Sequence, residues 1–255
     1  MKKAFITQSP DGRIINLPQL TEAQMREVDR MAVEVFGLGL LQMMENAGRN
    51  LAMLSIRWFE QLGETIAGKK IVVLAGSGGN GGGGLCAARH LHNRGVNVSV
   101  VLTKFPEQLR GAAKAQWEIL SASGITPASI EDDPKILSEA DLVLDAMIGY
   151  SLKGPPRGKT KYLIKAANAS GKTIISLDIP SGVDANSGSR PGVFIQAAQS
   201  LILALPKSGL MYSDCGKLFL ADIGIPLEVY QRLGIQVDAF FGGKYLLGVD
   251  IVESQ

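Results

Sequence analysis

Two acids stand at the ends of apolar runs. ADLVLDA (140–146) carries Asp145, and KTIISLD (172–178) closes on Asp178, followed by Ile179-Pro180-Ser181-Gly182. A third run, IVVL at 71–74, opens into a stretch in which seven of the nine residues 76–84 are glycine, with Asn80 among them. These residue types point to anion and cation binding. Glycine lets the backbone take positive φ and lets a ligand come close. Free N–H groups at the start of a following helix, with the helix dipole, favour a phosphate. A ligand-free βα turn needs one or two glycines rather than seven. A carboxylate at the end of a buried strand is costly unless paired, solvated or bound to a cation. One such acid can be a helix N-cap. Two on separate strands, both facing the glycine loop, favour a site.

The elements that must position these residues follow from periodicity. IVVL is a continuous β-branched run, as in a strand buried on both faces of a parallel sheet. Leu85, Ala88, Arg89 and His92 sit at helical spacing after the glycines, and Gly95 suits a helix C-terminus. Further strands are expected at 96–102, 140–146, 172–178, 198–205 and 217–221, with helices at 106–123 and 160–170. Ahead of them, Thr21 and Gln24 form a capping box for a helix whose apolar face is Met25, Val28, Met31 and Ala32. Gly37 and Gly39 end it, and a second helix spans 41–62. The alternation predicts an α/β fold, a Rossmann-like αβα three-layer sandwich on a mostly parallel, doubly wound sheet. Ligands of such folds bind at the carboxyl ends of the strands. Residues 1–255 read as one domain, with 1–16 a polar lead and 240–255 a peripheral tail.

The totals narrow the function. The chain has 255 residues, 46% of them hydrophobic, enough for a substantial core. A net charge of +2 without a long basic run argues against a nucleic-acid partner. No stretch of about 18 apolar residues predicts a membrane span, and residues 1–9 lack the apolar core of a secretory signal. Cys86 and Cys215 lie far apart in no CxxC pattern and read as thiols of a reducing compartment, so a cytoplasmic location is expected.

Sharper motifs fail on inspection. Residues 76–81 match GxGxxG, but the dinucleotide fingerprint also needs an acid about 20 residues on. The second strand ends at Leu102-Thr103-Lys104, so an ordinary hydride-transferring dehydrogenase is not indicated. GPPRGKT (154–160) has three residues between its glycines, one short of a Walker loop. His90 and His92 are two apart on a helix and face different ways. HExxH, paired CxxC and GxSxG are absent.

Six motifs in order then carry a resemblance. They are LTEAQMREVDR with MMENAG, GSGGNGGGGLCAARHL, DAMIGYSLKG, DIPSGVDANSG, ALPKSGL and ADIGIP, together spanning about residues 17 to 230. The chain resembles the YjeF N-terminal domain family, the NAD(P)H-hydrate epimerases. The resemblance implies an enzyme that interconverts the R and S epimers of hydrated NADH or NADPH (NADHX, NADPHX), a homodimer, and a separate dehydratase acting downstream. It assigns a potassium ion to Asn80, Asp145 and Ser181. It places substrate against Gly79, Asn80, Gly81, Gly82 and Gly83, against Gly149, Tyr150, Ser151, Leu152, Lys153 and Gly154, and against Asp178. Asp178 is the expected general acid/base, and Lys153 can pair with an anionic group beside it. Asp178→Ala is expected to abolish epimerisation with the fold intact. Gly79 and Gly83 replace the family's loop Asn and Asp, which removes one polar contact and one negative charge. Two other readings stay open at this point. One is a non-catalytic nucleotide-binding, scaffold or dimerisation module of the same fold. The other is an unrelated α/β enzyme of a phosphorylated metabolite.

Overall fold

The computed structural model describes residues 2–211 and 215–254. Its centre is a ten-stranded sheet. In chain order the strands are β1 (Lys2–Gln8), β2 (Ile14–Leu17), β3 (Lys70–Ala75), β4 (Asn97–Leu102), β5 (Pro127–Ala128), β6 (Leu142–Ala146), β7 (Ile174–Leu177), β8 (Gln199–Leu203), β9 (Lys217–Ala221) and β10 (Leu246–Ser254). The spatial order is β2-β1-β10-β9-β8-β7-β6-β3-β4-β5. Strands β9 through β5 in that order pair in parallel, and β10, β1 and β2 are antiparallel. The chain leaves β3 toward β4 on one side and returns to β6 on the other. The ends of β3 and β6 therefore flank a switch point, the place where open α/β sheets bind ligands.

Helices α1 (Glu22–Glu34), α2 (Leu40–Gln61), α3 (Gly79–His92), α4 (Gly111–Ala122), α5 (Gly158–Ala169) and α6 (Leu227–Arg232) accompany the sheet. The period of two along β3 shows the layers. Ile71, Val73 and Ala75 join a core with residues of α2 and α3, while Val72 and Leu74 join a second core with Leu163, Ile164 and Ala167 of α5. Thr21 caps α1 with the expected reciprocal bonds to Gln24.

Three expectations change. The lead and tail are not peripheral: β1 pairs with β10 and continues the same sheet, burying Phe5, Leu17, Leu247 and Val249. Their alternation is short and mixed with polar residues, so it is weak as a local signal. The helix expected at 106–123 is a short 3-10 turn, Pro106–Gln108, followed by α4, because Gly111 takes φ +53° and interrupts it. The glycine stretch is not a long loop, since α3 begins at Gly79. Gly76 and Gly81 serve close packing. A Cβ at Gly76 would lie 2.0 Å from the Met147 carbonyl oxygen, and one at Gly81 would lie 1.8 Å from that of Gly76. Among the described residues no helix is long and apolar enough to cross a membrane.

Candidate active site

Asp178 follows β7, and the structure buries it at 2% exposure. Its backbone takes φ +69°, a left-handed conformation that costs a non-glycine residue about 1–2 kcal/mol. The turn is held by its own N–H, which donates to the Leu201 carbonyl at 2.7 Å. One carboxylate oxygen accepts from the Lys207 ammonium, the other from the Tyr150 backbone N–H at 3.0 Å. Lys207 is 1% exposed and also donates to the Leu203 carbonyl at 2.6 Å. A short bridge to Leu20, just ahead of α1, positions the Lys207 segment.

This pair lines a cavity of about 540 Å³, within the range of small-molecule sites. Met25, Arg26 and Asp29 of α1 line it from one side, and Met44 and Ala47 of α2 from another. The Tyr150 hydroxyl donates to Asp29 at 2.6 Å, and Arg26 stacks over the Tyr150 ring at 5.7 Å. Burial pushes the Asp29 carboxyl up, against the Tyr150 bond and the Lys207 charge. Burial and the neighbouring Asp29 push the Tyr150 phenol up, so it stays protonated.

Of the residues singled out from sequence, Gly79, Asn80, Gly83, Gly149, Tyr150, Ser151 and Asp178 meet at this cavity. Gly149 is where β3 and β6 loops touch: a Cβ there would lie 3.0 Å from Asp178 Oδ2 and 3.2 Å from Asn80 Oδ1. Gly81, Gly82, Leu152, Lys153 and Gly154 do not line the cavity. Gly81 and Gly82 are buried in packing, and Lys153 is exposed on the loop surface. The lysine that meets Asp178 is Lys207, which sequence reasoning missed although it lies in the ALPKSGL motif. Asp29 was missed too, because a lone acid on the polar face of α1 reads as solvated. Gly83 has a cause in packing: a Cβ there would lie 2.7 Å from Leu177 Cδ2, so a carboxylate needs Leu177 to move.

Asp145 and Ser181 are fully buried and do not line the cavity. The Asp145 oxygens accept from the Ser181 hydroxyl at 2.6 Å, the Ser176 hydroxyl and the Ser181 N–H, each at 2.8 Å, and the Met147 N–H at 3.3 Å. Burial pushes this carboxyl up and these donors pull it down, with burial ahead. Among the described residues no lysine or arginine pairs with it. Asn80 Nδ2 is buried without a partner.

A protein of Dehalogenimonas lykanthroporepellens named NAD(P)H-hydrate epimerase is 48% identical over 219 residues, covering 85% of this chain and 86% of the relative. A Moorella thermoacetica protein named bifunctional NAD(P)H-hydrate repair enzyme Nnr is 36% identical over 82% of this chain. The match spans 41% of that longer relative. The crystal structure of the yeast protein YNL200c superposes with a TM-score of 0.79 at 27% identity, covering 91% of this chain and all of that one. The model of the YjeF-related protein N-terminus matches residues 40–209, and the chain belongs to that family.

Proposed function

We propose that the protein is an NAD(P)H-hydrate epimerase, interconverting the R and S forms of NADH or NADPH that has taken up water on the nicotinamide ring. The observation that carries the reading is the buried Asp178–Lys207 pair facing a cavity at the switch point, beside the N-terminus of α3. That N-terminus, with Gly79 and Asn80 on the cavity, suits the pyrophosphate. The hydrated ring then lies toward Asp178. Its hydroxyl is on the carbon bonded to the ring nitrogen. Departure of that hydroxyl as water takes up one proton and leaves a flat cation that the nitrogen lone pair stabilises. Addition of water to the other face returns the proton and inverts the centre. In this reading the Asp178–Lys207 pair gives and takes that proton, and the Asp178 carboxylate stabilises the cation.

A potassium ion held by Asn80, Asp145 and Ser181 belongs to the same proposal. An amide oxygen, a carboxylate and a hydroxyl suit a hard monovalent cation. A fully buried Asp145 carboxylate that no lysine or arginine among the described residues pairs with supports it. When bound, the ion supplies fixed positive charge near the pyrophosphate. Potassium is expected to raise Tm above its value in choline chloride, and Asp145→Asn to remove that increment. A homodimer is supported by the exposed apolar side chains of Val33, Val35, Leu40 and Leu41 around the α1–α2 turn, and light scattering tests it. A dehydratase of the S epimer is the expected consumer of the product. The two buried thiols suit a reducing, cytoplasmic setting.

The test is the rate of R-to-S exchange of hydrated NADH, coupled to an S-specific dehydratase. Acceleration well above the spontaneous rate, lost in Asp178→Asn, is the expected result. Folded protein that gives only the spontaneous rate overturns the reading.

A further inference from the structure

A second cluster of chemistry-bearing side chains lies between α2 and α3, outside the cavity. Cys86 and His90 are four apart on α3, so they share a face. Glu45 meets them from α2. Its Oε1 lies 2.8 Å from His90 Nε2 and its Oε2 lies 3.3 Å from Cys86 Sγ. The ligand atoms of the three residues all lie within 4.8 Å of one another. Tetrahedral zinc, with bonds of about 2.0–2.3 Å, sets neighbouring ligand atoms about 3.3–3.8 Å apart. Small side-chain rotations therefore convert one arrangement into the other. The helices come this close because position 48 is glycine: a Cβ there would lie 2.4 Å from Cys86 Cβ. The cluster also reaches solvent, since the Glu45 side chain is 42% exposed and that of His90 is 16% exposed. An ion has an entry path, and a water can take the fourth position.

We propose that Glu45, Cys86 and His90 form a site for a zinc-class divalent transition metal that clamps α2 to α3. The donor set selects the class: thiolate and imidazole suit zinc or cobalt, whereas magnesium and calcium want oxygen alone. Arg89 completes the surroundings. Its guanidinium donates to Glu45 Oε2 and lies 3.6 Å from Cys86 Sγ, while its Nε is buried without a partner. It is placed to hydrogen-bond a coordinated thiolate from outside the ligand shell. Binding forms a metal–sulfur bond and releases the Cys86 thiol proton to solvent, with no change of oxidation state. The metal must loosen the Arg89–Glu45 ion pair, which limits the affinity. The clamp would stiffen the two helices that present Met44, Ala47, Asn80 and Gly83 to the cavity.

The test is a titration of the full chain with Co²⁺ alone, in a non-thiol reductant. The expected result is one equivalent bound, with a near-ultraviolet thiolate-to-cobalt charge-transfer band that Zn²⁺ displaces. Cys86→Ser should remove the band, and Cys215→Ser should keep it. Glu45→Gln and His90→Gln should each weaken binding at least about tenfold. Zn²⁺ should raise Tm in the wild type and not in Cys86→Ser. A wild-type titration without the thiolate band overturns the site whether or not the variants fold. A band that survives Cys86→Ser overturns it as well.

Discussion

Asp178 and Lys207 are each nearly inaccessible to solvent, so each is tolerable only because of the other. Lys207→Met leaves the Asp178 charge buried alone and is expected to cost about 3–5 kcal/mol in urea denaturation. Asp178→Ala strands the ammonium in the same way, which removes the expectation that it would leave the fold intact. Asp178→Asn also removes the countercharge, but it keeps an acceptor oxygen for Lys207 and asparagine tolerates the left-handed backbone, so it is the better probe. It should lower the epimerase rate by about a hundredfold or more. The double variant Asp178→Asn with Lys207→Met should recover stability without recovering rate. A second residue-scale prediction concerns acid. Burial raises the Glu45 carboxyl, but bonds from Arg89, His90 and Cys86 outweigh it and hold the pKa at about 2. The unfolded value is about 4.3. The native state therefore gains stability that is fully present above about pH 4.3 and is lost as pH falls toward 2. Burial lowers the His90 pKa despite Glu45, so stability also declines as pH falls through about 6.5, where the unfolded histidine protonates first. Tm measured against pH should show both declines, and Glu45→Gln should flatten the lower one. Survival of the lower decline in that variant would assign it to other groups.

At the scale of elements, α3 separates glycines that pack from glycines that do not. A Cβ at Gly81 would lie 1.8 Å from the Gly76 carbonyl oxygen, and backbone cannot yield as a side-chain tip can. A Cβ at Gly79 meets nothing within 4 Å. Gly81→Ala should cost at least about 1–3 kcal/mol by overpacking. Gly79→Ala, two residues away in the first turn of the same helix, should be neutral or gain up to about 1 kcal/mol from helix propensity. Equal Tm values for the two variants would contradict this account of the β3–α3 junction. At the start of α1, the Thr21 hydroxyl accepts the Gln24 N–H at 3.2 Å, so Thr21→Ala should cost about 1 kcal/mol. That loss also bears on the cavity, since α1 supplies Arg26 and Asp29.

For the molecule as a whole, the two chain ends complete the sheet. Strand β1 lies between β2 and β10, and β10 covers the edge of β9. Removing residues 1–17 would bare the β10 edge and take Phe5 and Leu17 out of the core. The truncated chain should unfold at lower temperature and aggregate through its open edge. Full solubility with an unchanged Tm would show the antiparallel extension to be dispensable.

The sequence by itself determined the parallel core, the capping box of α1, and the placing of Asn80, Asp145, Asp178 and Ser181 at strand ends. Those signals are local: apolar periodicity, a cap three residues from its partner, an acid next to the run that it ends. Tertiary structure alone decided the rest. The partner of Asp178 is Lys207 rather than Lys153, 29 positions on, because the β8 end and Leu20 bring it there. Tyr150 meets Asp29 across 121 positions. Glu45 meets Cys86 and His90 only through the close approach of α2 and α3 at Gly48. The lead and tail became strands because each supplies the other's hydrogen bonds. Such contacts depend on which faces pack together, and a residue's neighbours in the chain carry no record of that.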